Sequence, residues 1–170
     1  MLLDHSKFLT VEEHSVELPD GQVIDNWPWV VTPDYVNVMA VTQEGHFLCF
    51  RQIKYAFSEP VLAPVGGFVD PGEDPLSAAR RELLEETGYE AERWIKLGSY
   101  LVDPSRGVAT GHLFLALEAH PVAEPDADDL EEQELLHITR SEIEAALDAG
   151  AFKVLAWTTL ILLGLRYLED

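Results

Sequence analysis

The sequence predicts a mixed α/β sandwich with an N-terminal antiparallel β-hairpin, on three observations. Short runs rich in β-branched and aromatic residues, bounded by turn signals, lie on both sides of one strongly capped helix. Two more helical stretches come late in the chain. The 170 residues show no internal repeat and no linker, a length that suits one domain with a sizeable core. Strands around a helix, followed by helices, pack as layers on a shared core.

Each element has a local reason. Residues 7–18 mix β-branched and polar side chains and read as a strand; Asp20-Gly21 is a hairpin turn signal, and residues 22–31 return as a second strand containing Trp27-Pro28-Trp29. Residues 35–41 and 46–53 read as strands joined around Glu44-Gly45, and 61–67 as an extended approach to a glycine loop. Asp74 is the expected N-cap, with Pro75 at the first helical position; the helix runs to Thr87 and stops at Gly88. Leu76, Ala79, Leu83 and Thr87 form its apolar stripe. Residues 94–102 and 111–119 read as strands, 121–134 as an acidic loop containing proline, and 135–139 as a short strand. Ser141-Glu-Ile-Glu144 reads as a capping box opening a helix that ends at Gly150. A last helix over 153–168 is apolar on most faces, as expected of one buried in its own domain or in a dimer.

Composition narrows the function. Thirty-one acidic residues against 11 basic give a net charge of −20. Such a surface repels nucleic-acid phosphates and argues against DNA or RNA as a partner. It equally repels a free diphosphate, so a phosphate-handling enzyme of this charge needs bound cations to invert the local field. Solubility is the plainer account of the acidity, and both accounts can hold together. The single cysteine, Cys49, lies in an apolar run, reads as a small buried hydrophobe and fits a reducing compartment such as the cytoplasm. Met1-Leu-Leu-Asp-His lacks the basic start and apolar core of a signal peptide, and the apolar stretch around 160–165 is too short for a bilayer.

The most informative segment runs from Gly67 to Tyr89. A glycine-rich loop leads into a helix bearing Glu82, Glu85 and Glu86. At helical pitch these carboxylates share about a quarter-turn of surface. Like charges so placed repel each other unless a cation joins them, and clustered oxygen ligands suit hard divalent metals. Arg81 stands four residues before Glu85, within reach to orient a carboxylate. The alternative is a solvated acidic helix face; the glycines, the spacing and Arg81 count against it.

The segment resembles the Nudix box, G-x5-E-x7-R-E-U-x-E-E-x-G-U with U bulky and apolar. Gly67, Glu73, Arg81, Glu82, Leu83, Glu85, Glu86 and Gly88 fill the pattern, and Tyr89 stands at the last, usually aliphatic position. The resemblance implies a Nudix-type α/β/α sandwich and metal-dependent hydrolysis of a nucleoside diphosphate linked to another moiety, with magnesium as the cation and manganese able to substitute. It implies Glu82 and Glu86 as main metal ligands, Glu85 as a further ligand or hydrogen-bonding partner, and a carbonyl at Gly66 or Gly67 completing the sphere. Glu73 and Arg81 are then expected to brace the loop against the helix, although Glu73 can equally serve as an acidic complement to the helix dipole. In some Nudix enzymes the general base lies in the box, which keeps Glu85 and Glu86 as catalytic candidates with Arg81; in relatives that cleave ADP-ribose it is a glutamate on a later loop. Glu132 fits that position, beside Glu131 and Glu134, unless it is merely solvated.

Flanking residues resemble the ADP-ribose pyrophosphatase group. Arg51-Gln52-Ile53-Lys54 stands where that group often shows Arg-Gln-x-Arg, and Pro104, fifteen residues past Tyr89, stands near its usual proline. Arg51, Lys54 and Arg106 become candidate phosphate contacts, with a strand-surface charge as the alternative for Arg51. Trp27 and Trp29 can stack an adenine, or pack in a core or interface. The resemblance also implies a homodimer, with residues 1–34 helping to build the partner's site within a single domain spanning 1–170. Ala63, where that group commonly has glutamate, and Ala109-Thr110-Gly111-His112, which lacks its acidic residue, are departures that leave the distal sugar contacts open. Another nucleotide sugar, a dinucleotide, coenzyme A or a nucleoside triphosphate are alternative substrates, and a non-catalytic nucleotide sensor is the alternative of another class.

Overall fold

A computed structural model describes residues 1–5, 7–126 and 133–169. In chain order the elements are β1 (Leu3–Asp4), β2 (Thr10–Glu17), β3 (Val23–Val31), β4 (Tyr35–Thr42), β5 (Phe47–Gln52), β6 (Val61–Ala63), α1 (Pro75–Thr87), β7 (Tyr89–Glu90), β8 (Arg93–Asp103), β9 (Val108–Pro121), β10 (Gln133–Ile138), α2 (Arg140–Asp148) and α3 (Leu155–Tyr167). They form the mixed α/β fold that the sequence predicts, with a separate N-terminal antiparallel sheet in which the predicted hairpin is joined by β1 as a third strand.

The main sheet runs β10-β5-β4-β9-β7, with β6 on β5 and β8 on β9. β4 and β9 pair in parallel at its centre, while every other pairing in it is antiparallel. β4 reads as a nearly continuous apolar run because both its faces are covered. Val36, Val38 and Ala40 turn to one layer, against Ala78, Ala79 and Leu83 of α1. Met39 turns to the other, against Ile143 of α2 and Leu160, Ile161 and Leu165 of α3. α3 comes so close to β4 that a Cβ on Gly164 would strike the Met39 sulfur. Cys49 is buried in this second layer, and burial pushes its thiol up to about 12. At the far end of the β4–β9 pair, the register slips between Leu117 and Ala119, and Glu118 takes a left-handed φ of 61° to absorb the extra residue.

Helix α1 begins and ends where its caps dictate. Asp74 accepts from the Leu76 and Ser77 N–H groups, Pro75 follows, and Gly88 closes the helix at φ 73° with its N–H donating to Leu84 O. Helix α2 opens earlier than predicted. The capping box is Thr139 with Glu142: the Thr139 side chain accepts from Glu142 N, and the Glu142 carboxylate accepts from Thr139 N at 2.7 Å. Glu144 instead pairs with Arg140, at 2.8 Å, one turn away. Helix α3 is shorter than the expected 153–168, because Val154 is extended and offers no capping side chain. No helix of the described residues is long and apolar enough to cross a membrane.

β2 and β3 form the predicted hairpin around Gly21 (φ 84°). The hairpin is fastened to the β8–β9 turn of its own chain. Trp27 Nε1 donates to Ser105 O at 2.6 Å, Val30 N donates to Arg106 O at 3.0 Å, and Gly107 lies so close under the Trp29 ring that no Cβ would fit.

Candidate active site

The glycine loop is held as an extra strand-like strip against β4. Val38 N donates to Val65 O at 2.8 Å and Val36 N to Gly67 O at 2.9 Å. Antiparallel geometry turns the backbone groups of the intervening Gly66 away from β4. Its N–H meets Glu86 Oε2 at 3.0 Å. The strip and α1 are pressed together closely enough to require both glycines. A Cβ on Gly67 would occupy the space of the Glu82 carboxyl, and one on Gly66 would collide with Val36 O and the Asn37 amide. The paired glycines thus bring two helix carboxylates into contact with backbone.

Arg81 organises the rest through five hydrogen bonds. Its Nε and Nη2 grip both oxygens of Glu73 at 3.1 and 3.0 Å, Nη2 also reaches Phe68 O at 3.0 Å, and Nη1 donates to Glu82 at 2.7 Å and Glu85 at 3.0 Å. The fork on Glu73 is bidentate and charge-assisted. Glu73 also accepts from Asp70 N at 3.0 Å, tying the turn before the helix. The Arg81 hydrogen bonds first, and that N–H after them, hold the Glu73 carboxyl below its ordinary value. Reciprocally, Glu73 foremost raises the Arg81 guanidinium above its ordinary value.

A cleft of about 600 Å³ opens over these groups, lined among others by Tyr35, Asn37, Lys54, Gly66, Gly67, Phe68, Arg81 and the carboxylates Asp70, Glu82, Glu85, Glu86 and Asp126. Five carboxylates face two cationic side chains. Glu82 is the most enclosed member of the Arg81 cluster, with its side chain 13% exposed. Among the described residues no three acidic, histidine or cysteine side chains converge on one point, and the Arg81 fork holds Glu82 and Glu85 as ion pairs. The donor set is hard oxygen throughout, in a strongly negative cleft, and that chemistry fits a hard divalent cation better than a soft one.

Of the residues singled out in the sequence, the structure brings Lys54, Gly66, Gly67, Arg81, Glu82, Glu85 and Glu86 to this cleft, with Glu73 behind Arg81. Others stand apart from its lining. Arg51 is a cross-strand partner of Glu134 at 2.8 Å on an open sheet face, both side chains more than half exposed. Arg106 pairs with Asp103 at 2.8 Å within the turn that contains Pro104, and Trp27 and Trp29 pack on that turn. Glu131 and Glu132 lie outside the described residues. Tyr35, Asn37, Phe68, Asp70 and Asp126 join the site without having been foreseen. Asn37 alone left a trace in the sequence, as the one amide in the apolar run 35–41.

The Nudix domain family model matches residues 31–158, which contain the whole strip, helix and cleft. The chain belongs to the Nudix family. It is 31% identical over 141 residues to the ADP-ribose pyrophosphatase of Bacillus subtilis, covering 83% of this chain and 75% of that protein. It is 32% identical over 165 residues to the ADP-sugar pyrophosphatase of Mus musculus, covering 87% and 75%. Among solved structures, one described as an ADP compounds hydrolase superposes with a TM-score of 0.80 at 20% identity, over 98% of this chain and 90% of that one, and shares its fold. This chain is a Nudix hydrolase with ADP-ribose and ADP-sugar pyrophosphatase relatives.

Proposed function

We propose that this Nudix hydrolase splits the diphosphate of a nucleoside diphosphate sugar, ADP-ribose first among them, to AMP and ribose 5-phosphate, with magnesium as the working cation and manganese able to replace it. The observation that carries the reading is the cleft itself, with five carboxylates against two cations and two helix carboxylates seated on a glycine pair. A diphosphate entering it adds more negative charge and is repelled unless cations come with it. The names of the 31% and 32% identical relatives support the substrate class.

When bound, a divalent cation neutralises phosphate charge and lowers the pKa of water. The residues proposed to hold it are Glu82, Glu85 and Glu86 with a glycine carbonyl. Gly67 O already accepts from Val36 N, which favours Gly66 O for that part. Arg81 fixes the Glu82 and Glu85 carboxylates and limits their rotation. Lys54 is the cleft's other cation and is suited to a phosphate oxygen. Glu132 is proposed as the general base that takes the proton of the attacking water. Arg51 and Arg106 would have to leave Glu134 and Asp103 to reach a phosphate.

The nucleoside end has two candidate platforms. Trp27 and Trp29 lie on the N-terminal sheet beside the Pro104 turn. A second cleft of about 560 Å³, lined by Phe8 and Phe68 among others, shares Phe68 and Asp70 with the first. Its position against the carboxylate cleft favours the phenylalanine pair within one chain, and a second copy would bring the tryptophans of its partner into play. Leu3, Val23 and Val31 are exposed on the N-terminal sheet, which supports a homodimer covering them.

The test is a product analysis with magnesium across ADP-ribose, GDP-mannose, NADH, diadenosine polyphosphates, coenzyme A and nucleoside triphosphates. ADP-ribose is expected to give AMP and ribose 5-phosphate at the highest kcat/KM. Glu86→Gln is expected to lose activity by roughly a hundredfold or more with an unchanged circular dichroism spectrum, because a ligand and its Gly66 partner weaken while the helix stays. Turnover of none of these compounds would leave a binding protein without hydrolysis.

A further inference from the structure

The flank of α1 opposite the carboxylates borders a separate groove. At helical pitch Leu76, Arg80 and Leu84 share one face of the helix, roughly half a turn from Glu82, Glu85 and Glu86. Trp94 and Lys96 of β8 alternate onto the layer of α1, paired with Ala116 and Phe114. Between helix and strand lies a cleft of about 370 Å³, walled by Arg80, Leu84, Glu90 and Trp94 among others. Trp94 also walls a cleft of about 220 Å³ with Asp74, Leu76 and Lys96 among others. Carboxylates are plentiful in this chain, and Arg51, Arg81, Arg106 and Arg140 each hold one. Arg80 and Lys96, both exposed, make no ion pair among the described residues. The Arg80 guanidinium instead lies 6.0 Å from the Trp94 ring centroid. Arg81 offers this groove only its stem, since its guanidinium N–H groups are all committed on the carboxylate side.

We propose that this groove is a second nucleotide site, separate from the carboxylate cleft: a nucleoside monophosphate stacks its base on the Trp94 ring and gives its phosphate to Arg80 and Lys96. Each half of the ligand answers one half of the groove. A flat base suits an accessible indole beside apolar Leu84, and a phosphate gives two unpaired cations a charge-assisted partner. The acidic residues set the direction. Glu90 repels a phosphate in the larger cleft, which leaves that end to the base. Asp74 stands at the Lys96 end, but its carboxylate already accepts from the Leu76 and Ser77 N–H groups. Because the groove carries its own cations, it holds a phosphate without a divalent metal, unlike the carboxylate cleft.

The test is calorimetric titration of AMP, adenosine and inorganic phosphate into the full chain in excess chelator, where the carboxylate cleft repels phosphate. One AMP is expected to bind per chain, at least tenfold more tightly than adenosine or phosphate alone. The double variant Arg80→Gln, Lys96→Gln is expected to bind AMP at least tenfold more weakly at an unchanged melting temperature, since both side chains are exposed. Trp94→Leu is expected to weaken AMP and adenosine alike. Glu86→Gln, altered in the carboxylate cleft, is expected to bind AMP as wild type does. No heat from millimolar AMP, or equal affinity in the double variant, overturns the proposal. So does adenosine or phosphate binding as tightly as AMP, and so does a loss of AMP binding in Glu86→Gln. Binding is read without turnover, so failure of this site and failure of the hydrolase reading are separate results.

Discussion

At the scale of single residues, Arg81 decides whether the carboxylates of α1 can coexist. Without it, Glu73, Glu82 and Glu85 would repel one another in a partly closed cleft; with it, each has a charge-assisted donor within 3.1 Å. The consequence can be read in pH. The Glu73 carboxyl is held below its ordinary 4.5, first by the Arg81 hydrogen bonds. A carboxyl whose folded value lies below its unfolded one stabilises the fold in full above the unfolded value, and loses that contribution as pH falls through the folded one. Glu73→Gln is therefore expected to melt below wild type near neutral pH, with the gap between the two curves closing as pH is lowered below 4.5. Parallel melting curves across that range would show that the pairing contributes no charge-dependent stability. Arg81 and Glu73 were legible in the sequence as a spacing, whereas the bidentate grip and the bond to Phe68 O depend on how the loop closes. Asn37 shows the limit of such reading. One amide in an apolar strand is visible in the sequence, but that its oxygen is left without a partner shows only in the packed fold.

At the scale of elements, the glycine strip and α1 work as one unit, and the two glycines should fail differently. Gly66→Ala drives a methyl group into Val36 O, a backbone atom that cannot move without breaking the strip, and is expected to cost about 1–3 kcal/mol of stability. Gly67→Ala meets the end of the Glu82 side chain, so its cost in stability is expected to stay below about 1 kcal/mol while activity falls roughly tenfold to a hundredfold. Denaturant titration and kcat/KM on the same preparations check both, and equal losses in the two variants would contradict the geometry. Capping tells a similar story. The bounds of α1 could be read because Asp74, Pro75 and Gly88 signal locally. The start of α2 could not, because Thr139-x-x-Glu142 and Ser141-x-x-Glu144 overlap, and the choice fell to the frame that leaves Glu144 for Arg140. Thr139→Ala should cost about 1 kcal/mol by urea unfolding, and Ser141→Ala within about 0.5 kcal/mol; the reverse order would restore the later cap.

At the scale of the whole molecule, charge and topology meet at the cleft. The strands were legible one by one from alternation and turns, but the parallel pairing of β4 with β9 joins Tyr35 to Gly111 and Val41 to Leu117, far apart in the chain, and leaves no local mark. The same distance hid the Arg51–Glu134 pair across β5 and β10, and the seating of Trp27 and Trp29 on the turn around Pro104. What the sequence did carry was the charge and the box: a chain of net charge −20 gathers five carboxylates in one cleft, beside the helix that the box spacing marks. On the proposed reading, those carboxylates serve a diphosphate with cations between them. The rate of AMP formation from ADP-ribose as magnesium is titrated into the chelator-treated protein tests this most directly. The account predicts no AMP in excess chelator, recovery that saturates with magnesium, and a weaker, right-shifted recovery for Glu86→Gln. AMP formed at the same rate in chelator as in magnesium would contradict it.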